Sequence, residues 1–370
     1  MKDTIPYAEP PRYLPFFREE DAGLADRLPS LRLLGEEIEE IPSEAAAAYD
    51  VSVPDGEYAF LHEAAVTEYR GTLFASWYNC PEKELFGRTP IRGKRSGDGG
   101  RTWSQPEIIA DDPTGKILFC PPVYAAEEGG LYLFLNEMTA PDHIHALDLY
   151  RLDDRKGTFE RLWSRPVPFK LNANAVRLPN GRLMLAGRTG ELDGFPNTPA
   201  VLLSDSGRAD EEWRLVKIAP DGNLPDGSKL VHPELCPAVR GDTVYMFCRD
   251  DERRVPLLYL SEDLGESWSG PCSHDIPFVN SKIYAGVLED GRAYLVGNIE
   301  RFDRTRLALY LTAPGTMRFE KRLLLADEPG RAAHYPVACE SGGKLFVIYT
   351  SGPVGGVRGA RIAAVDLARV

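Results

Sequence analysis

The sequence predicts an all-β fold: a six-bladed β-propeller of four-stranded antiparallel blades, with seven blades as the alternative. Two observations predict it. One is a unit that recurs six times: a polar or Pro-marked start, an apolar strand, a Gly turn and a second apolar strand. The units start at Leu61, Cys120, Asn172, His232, Ser281 and Ala333, a spacing of roughly 50–60 residues that suits one blade. The other is a short motif present twice. Ser96-Gly-Asp98-Gly-Gly100-Arg-Thr102-Trp103 and Ser261-Glu-Asp263-Leu-Gly265-Glu-Ser267-Trp268 share five positions. Ser204-Asp-Ser-Gly207 with Trp213 is a degenerate third copy. Such a motif suits a tight hairpin: Gly supplies a positive φ, Ser and Asp bond turn backbone, and Trp plugs the gap between neighbouring sheets, where Trp103 and Trp268 are expected to be buried.

Each element has its place in this scheme. Residues 58–370 supply the propeller. Blade six has only one strand, in Gly359-Ala-Arg-Ile-Ala-Ala-Val-Asp-Leu-Ala368, after its first hairpin. Its missing outer strand is expected from residues 1–57, somewhere in 31–53, which would cover an open sheet edge. Arg18 to Ala48 is rich in Glu, Ala and Leu, so a short helix is an option there.

Composition narrows function. A net charge of −13 leaves no basic face for nucleic acid, yet a local cationic cluster can still meet an acidic substrate. No run of 18 apolar residues occurs, so no membrane partner is expected. No apolar leader segment is evident in Met-Lys-Asp-Thr-Ile-Pro-Tyr. A cytoplasmic location is therefore expected, or a secreted one if a leader has been removed. The six cysteines are scattered without a CxxC pair and read as reduced. His143 and His145 lack a third ligand nearby, and an exposed loop is the better reading of that pair. No metal or cofactor is expected. There is neither a phosphate-binding Gly loop nor a Gly-x-Ser-x-Gly elbow.

In a propeller the innermost strands all begin around the central channel on one face. Here those starts are polar: His62-Glu63, Asn172 and Asn174, His232 and Glu234, Ser281-Lys282 with Tyr284, and His334-Tyr335. Gathering His, Glu, Lys and Tyr costs desolvation that a ligand would offset. Channel residues satisfied by water and by each other are the alternative. Second strands end at Asn79, Asn136-Glu137, Arg188, Arg249 and Asn298. Arginine forks bind carboxylates, although Asp250, Asp251 or Glu191 could instead pair with them. We therefore expect His62, His232, Glu234 and Tyr284 as catalytic candidates. Glu63, Asn172, Asn174, Arg188, Arg249, Lys282 and His334 are the substrate-binding candidates. The three cations Arg188, Arg249 and Lys282 suggest a substrate carboxylate.

The two hairpin motifs resemble the Asp-box of sialidase-superfamily (BNR-repeat) propellers. The stretch from His232 to Asn298 resembles that superfamily's succession of a Glu strand, an Arg-ended strand, an Asp-box and a hairpin ending in Asn. The stretch from His62 to Trp103, with its Glu84-Leu-Phe-Gly87-Arg88 loop, is similar to blade one of exo-acting propellers that cleave rhamnose from glucuronate, as hydrolases or lyases. The resemblance spans roughly residues 58–350. It implies an exo-acting enzyme, a glycoside hydrolase or polysaccharide lyase, removing a terminal sugar from an acidic glycan at the channel mouth. It also implies that the Asp-boxes lie on the rim away from that face. Leu61-His62-Glu63-Ala64 stands where a sialidase carries (Phe/Tyr)-Arg-Ile-Pro. Pro256-Leu257-Leu258 replaces an expected Arg. A non-catalytic glycan- or protein-binding propeller and a sialidase with an altered arginine clamp are the remaining readings. Glu63 and Glu234 would suit a two-carboxylate mechanism, whereas a His/Tyr arrangement would favour β-elimination from a uronate.

Overall fold

The computed structural model describes residues 7–8, 23–24, 26–189, 198–219, 224, 227–252 and 254–370. Six sheets follow one another around an axis. Their innermost strands are Phe60–Tyr69, Leu118–Glu127, Phe169–Leu171 with Val176–Arg177, Glu234–Arg240, Tyr284–Val287 and Arg331–Ser341. Three more antiparallel strands lie outside the innermost one in each blade. Alternation explains the packing: each strand sends successive side chains to opposite faces, and both faces of a blade meet a neighbour. Hence inner strands are buried almost throughout, with Trp77, Tyr78, Phe247 and Tyr310 among the large side chains sealed between sheets.

Blade six is completed by the N-terminal strand Ala46–Ser52, antiparallel to Gly359–Asp366. The preceding chain runs along two further outer edges. Ser30–Leu31 lies parallel to Ser269–His274 of blade four, and Leu34–Glu40 parallel to Phe319–Asp327 of blade five. Asp275 Oδ1 accepts from the Leu33 and Leu34 amides at 2.7 and 3.0 Å, fixing the passage between them. Three adjacent blade edges are thus covered. Over residues 26–48 the chain is therefore strand with one 3-10 turn, Ser43–Ala45, and not the helix that its composition suggested. Sheet pairing with the blade edges outweighs local propensity there. Residues 23–24 are helical, and residues 18–22 and 25 lie outside the described residues.

Both Asp-boxes close as the motif predicts. Ser96 Oγ accepts from Gly100 N at 2.9 Å, and Asp98 Oδ1 accepts from Thr102 N at 3.0 Å. In the second copy the equivalent bonds are 2.8 Å to Gly265 N and 2.9 Å to Ser267 N. Trp103 and Trp268 donate back to Gly100 O and Gly265 O. Burial of these indoles between sheets is one expectation that needs correction: both rings are only partly buried, packed against the margin of the core. The hairpin projects beyond the sheet, so one side of each ring stays wet.

Candidate active site

Backbone strain marks the channel mouth. Among the described residues nine non-glycine residues have positive φ, and five of them surround this mouth: Glu63 (46°), Asp142 (62°), His232 (48°), Arg304 (59°) and Tyr335 (57°). Pairing slips at Glu63 and at Tyr335, between His62/Ala65 and His334/Val337. A bulge at these points re-aims the side chain out of the ladder. Each such residue costs about 1–3 kcal/mol, and that strain collects where function needs a particular geometry.

Aromatic rings form the floor. The His62 ring lies 4.2 Å from that of Tyr335 and 5.1 Å from that of His334. His62 Nδ1 pairs with Thr350 Oγ1 at 3.1 Å. Burial comes first, then the neighbouring imidazole and the cations Arg358, Arg304 and Lys282, in pushing His62 well below its usual pKa. His334 is held neutral by burial and by Arg358, Arg304 and Arg249. Both imidazoles are only 2% exposed, so they support the floor from behind its surface.

A chain of ion pairs forms the wall. Lys282 Nζ meets Glu63 Oε2 at 2.9 Å. Asp142 receives Arg188 Nη2 at 2.9 Å, Lys170 Nζ at 3.3 Å and His232 Nε2 at 3.1 Å. His232 Nδ1 meets Asp251 Oδ2 at 3.0 Å. Arg249 then pairs with Asp251 and with Glu234, and its Nη1 donates to the Tyr335 hydroxyl at 2.8 Å. Burial opposes charge on His232, but its bonds to Asp142 and Asp251 outweigh that and raise its pKa. Burial likewise opposes ionisation of Asp142. His232, Lys170 and Arg188 overcome it and hold the carboxyl far below the usual range.

Tyr335 sits at the centre. The guanidinium or ammonium groups of Lys282, Arg304 and Arg249 lie 5.5, 5.8 and 5.9 Å from its ring centre. Burial raises its hydroxyl pKa, with Arg249 and Arg304 pulling the other way. Arg304 Nη2 donates to Asn280 O at 3.0 Å, and Arg358 lies over the Phe60 ring at 4.9 Å. Among the described residues neither arginine is within ion-pair distance of a carboxylate; the contacts of their side chains are Asn280 O, the Tyr335 ring and the Phe60 ring. Across the mouth, Tyr78 OH donates to Glu84 Oε1 at 3.0 Å. Glu84 is exposed as a residue, but desolvation at its carboxyl end, then Glu63, raises its pKa.

Of the sequence candidates, His62, Glu63, Arg188, His232, Glu234, Arg249, Lys282 and His334 come together here. Tyr284 does not. It points into a 440 Å³ cavity farther along the channel, beside Asn174, Tyr124 and Tyr294. Asn172 and Asn174 hold blades together: Asn172 Oδ1 accepts from Leu235 N at 3.1 Å, while Asn174 bonds Tyr124 N and Val66 O, each at 2.9 Å. Their amides are consumed by backbone, leaving little for a ligand. Arg188, Arg249 and Lys282 all have protein carboxylates, so they do not themselves require a substrate acid. Glu191, one proposed partner of Arg188, lies outside the described residues. His143 and His145 are exposed as expected but lie on the strand His143–Asp153 and not on a loop, and the described residues contain no cluster of three metal-ligand side chains.

Sequence reasoning missed Asp142, Arg304 and Arg358, which lie on loops without a repeat position, and Lys170, which lies on the innermost strand Phe169–Leu171 just before the residues chosen there. Glu84 did carry a signal, in its Glu-x-x-Gly-Arg loop, and Tyr335 adjoins a residue that was chosen.

The BNR repeat-like domain matches residues 71–347. No curated protein sequence matches the chain. Several solved structures share its fold. A Hadza microbial sialidase superposes with a TM-score of 0.70 at 15% identity, covering 87% of this chain and 69% of that one. A protein of unknown function from Dyadobacter fermentans gives 0.69 at 14%, covering 88% and 99%. NanB sialidase from Streptococcus pneumoniae gives 0.68 at 12%, covering 87% and 70%.

Proposed function

The chain belongs to the BNR repeat-like domain family, and from that premise we propose an exo-acting carbohydrate-active enzyme. It removes a terminal sugar from an acidic oligo- or polysaccharide at the channel mouth. One observation carries this reading: Tyr335, on a strained bulge, is bonded to Arg249 and ringed by Lys282 and Arg304. A tyrosine can replace the second carboxylate of a retaining glycosidase. The phenol oxygen would attack the anomeric carbon, its proton passing to Glu234, which shares Arg249 Nη1 with it. Burial opposes the Glu234 charge, but Arg249, Lys282 and Arg188 keep it ionised and able to accept. Glu84, with its raised pKa, would protonate the leaving oxygen. Water then cleaves the tyrosyl glycoside.

Arg304 and Arg358 supply the reason to expect an acidic sugar, because among the described residues neither has a carboxylate of its own. A guanidinium in such a partly dry site gains most from a bidentate anion. His62 and His334 keep the floor neutral, so they do not compete with the arginines for it.

An eliminative reading has one observation in its favour: the neutral imidazole of His62 lies against the Tyr335 ring. A base–phenol pair suits β-elimination from a uronate. Incubating the full chain with uronate- and sialate-terminated oligosaccharides separates the outcomes. Hydrolysis releases a saturated terminal sugar, and elimination gives an ultraviolet-absorbing unsaturated product. Binding without either product would refute both and leave a non-catalytic propeller.

A further inference from the structure

Blade six carries a second polar cleft. Tyr349 lies opposite Arg361, and Ser351 follows two positions on, with Arg331 opposite Pro353. The period-two pleat therefore places Tyr349, Ser351, Arg331 and Arg361 towards one side of this sheet. Arg331, Ser351, Arg361 and Asp50 line a cleft of 130 Å³. Arg331 Nε donates to Ser351 Oγ at 3.1 Å. Among the described residues Arg331 has no carboxylate partner. Arg361 meets Asp50 at 3.1 Å, but that Asp side chain is 63% exposed. The Tyr349 hydroxyl nearby is buried without a hydrogen-bond partner. Burial raises its pKa, while Arg361 and Arg331 oppose the rise, which puts both cations within electrostatic reach of it.

Two guanidinium groups, a buried hydroxyl and one wet carboxylate leave a net positive cleft on a protein of charge −13. Guanidinium forks match oxyanions in plane and charge. The position matters too. Arg331 lies three residues before His334, roughly 10 Å along an extended strand. Between them Ala333 N donates to the Arg304 carbonyl at 2.8 Å, so the loop bearing Arg304 adjoins both places.

We infer that the Arg331–Arg361 cleft is an anion subsite for a sulfate or carboxylate on a second sugar of the glycan whose terminal sugar occupies the mouth. This rests on the reading of the mouth as a glycan site. It makes the substrate polyanionic, with charge on more than one sugar, and not a neutral chain with a single acidic cap.

The test uses the full chain, with arginine Nε–Hε and histidine NMR signals as reporters. Inorganic sulfate, a sulfated tetrasaccharide, a uronate tetrasaccharide and an acidic monosaccharide are titrated into wild type and into Arg331→Gln/Arg361→Gln. Arg331→Lys, which keeps the charge and loses the fork, is the milder variant. Sulfate should move the Arg331 and Arg361 signals. One tetrasaccharide should bind the double variant about tenfold more weakly, with monosaccharide binding unchanged. The weakened arm identifies sulfate or carboxylate. Unmoved arginine signals, or equal tetrasaccharide affinities in wild type and double variant, would overturn the inference. Failure of the mouth reading looks different: the monosaccharide then leaves the His232 signal of the wild type unmoved.

Discussion

Arg249 Nη1 donates to the Tyr335 hydroxyl at 2.8 Å while the same nitrogen is paired with Glu234. One guanidinium thereby ties an innermost strand of blade four to its counterpart in blade six, although the two aromatic and acidic residues are far apart in sequence. It also commits Arg249 to the protein. Because Glu234 would be left unpaired and Asp251 would keep only His232, Arg249→Ala should destabilise the fold by about 3–5 kcal/mol, read as a fall in denaturation midpoint. Activity loss in that variant says little about substrate charge. An unchanged midpoint would show that the pairing contributes nothing.

Substrate charge is better read at Arg304, whose side chain, among the described residues, bonds a backbone carbonyl and lies near the Tyr335 ring without a carboxylate partner. Arg304→Gln should raise KM for an acid-terminated oligosaccharide by about tenfold or more, and leave a neutral analogue little affected. Equal effects on both would remove the case for a substrate carboxylate at this arginine.

Glu84 gives a pH signature. Its carboxyl pKa is raised by burial and by Glu63. If it is the acid, the rate falls as pH rises through that value. Glu84→Gln should flatten this limb and slow poor leaving groups by about 10²–10⁴-fold. Activated aryl glycosides, which need no protonation, should be nearly spared. A uniform loss on both substrate types would point to a positioning role.

His232 should link stability to pH. Its folded-state pKa is raised by Asp142 and Asp251 against the effect of burial. Its stabilisation is therefore complete below the unfolded value of about 6.5, and it fades as pH rises through the folded value. Melting curves of wild type and His232→Gln should differ most in acid and converge towards alkaline pH. A gap that widens with pH would contradict the assignment.

Much of the architecture was legible because it is periodic. Strand alternation and the Ser-x-Asp-x-Gly-x-(Thr/Ser)-Trp hairpins depend on local physics, and both reappear in the structure. The paths of Ser30–Leu31 and Leu34–Glu40 were not legible, since they depend on which blade edges happen to be open. Within the mouth, residues at strand starts, such as His62 and Glu234, could be found by their repeat position. Arg304, Asp142 and Arg358 could not, because loops carry no period. Asn172 and Tyr284 show the opposite error: equivalent positions in a repeat need not face the same way once a strand is interrupted or begins later.

The Asp-box tryptophans test the fold apart from the chemistry. Trp103 is partly buried and bonded to Gly100 O at 3.0 Å. Trp103→Ala should cost about 2 kcal/mol, below the 3–5 typical of a sealed ring. The kcat of the folded fraction should stay unchanged. Loss of kcat at full stability would connect this rim to the site.

The central claim is that Tyr335 is the reacting group of a glycan-cleaving mouth. The most direct measurement is turnover of acid-terminated oligosaccharides by wild type and by Tyr335→Phe, with melting temperatures recorded alongside. The account predicts release of the terminal sugar by wild type and a loss on the order of 10³-fold or more in Tyr335→Phe, at near-native stability. Tyr335→Phe turning over at the wild-type rate would contradict it.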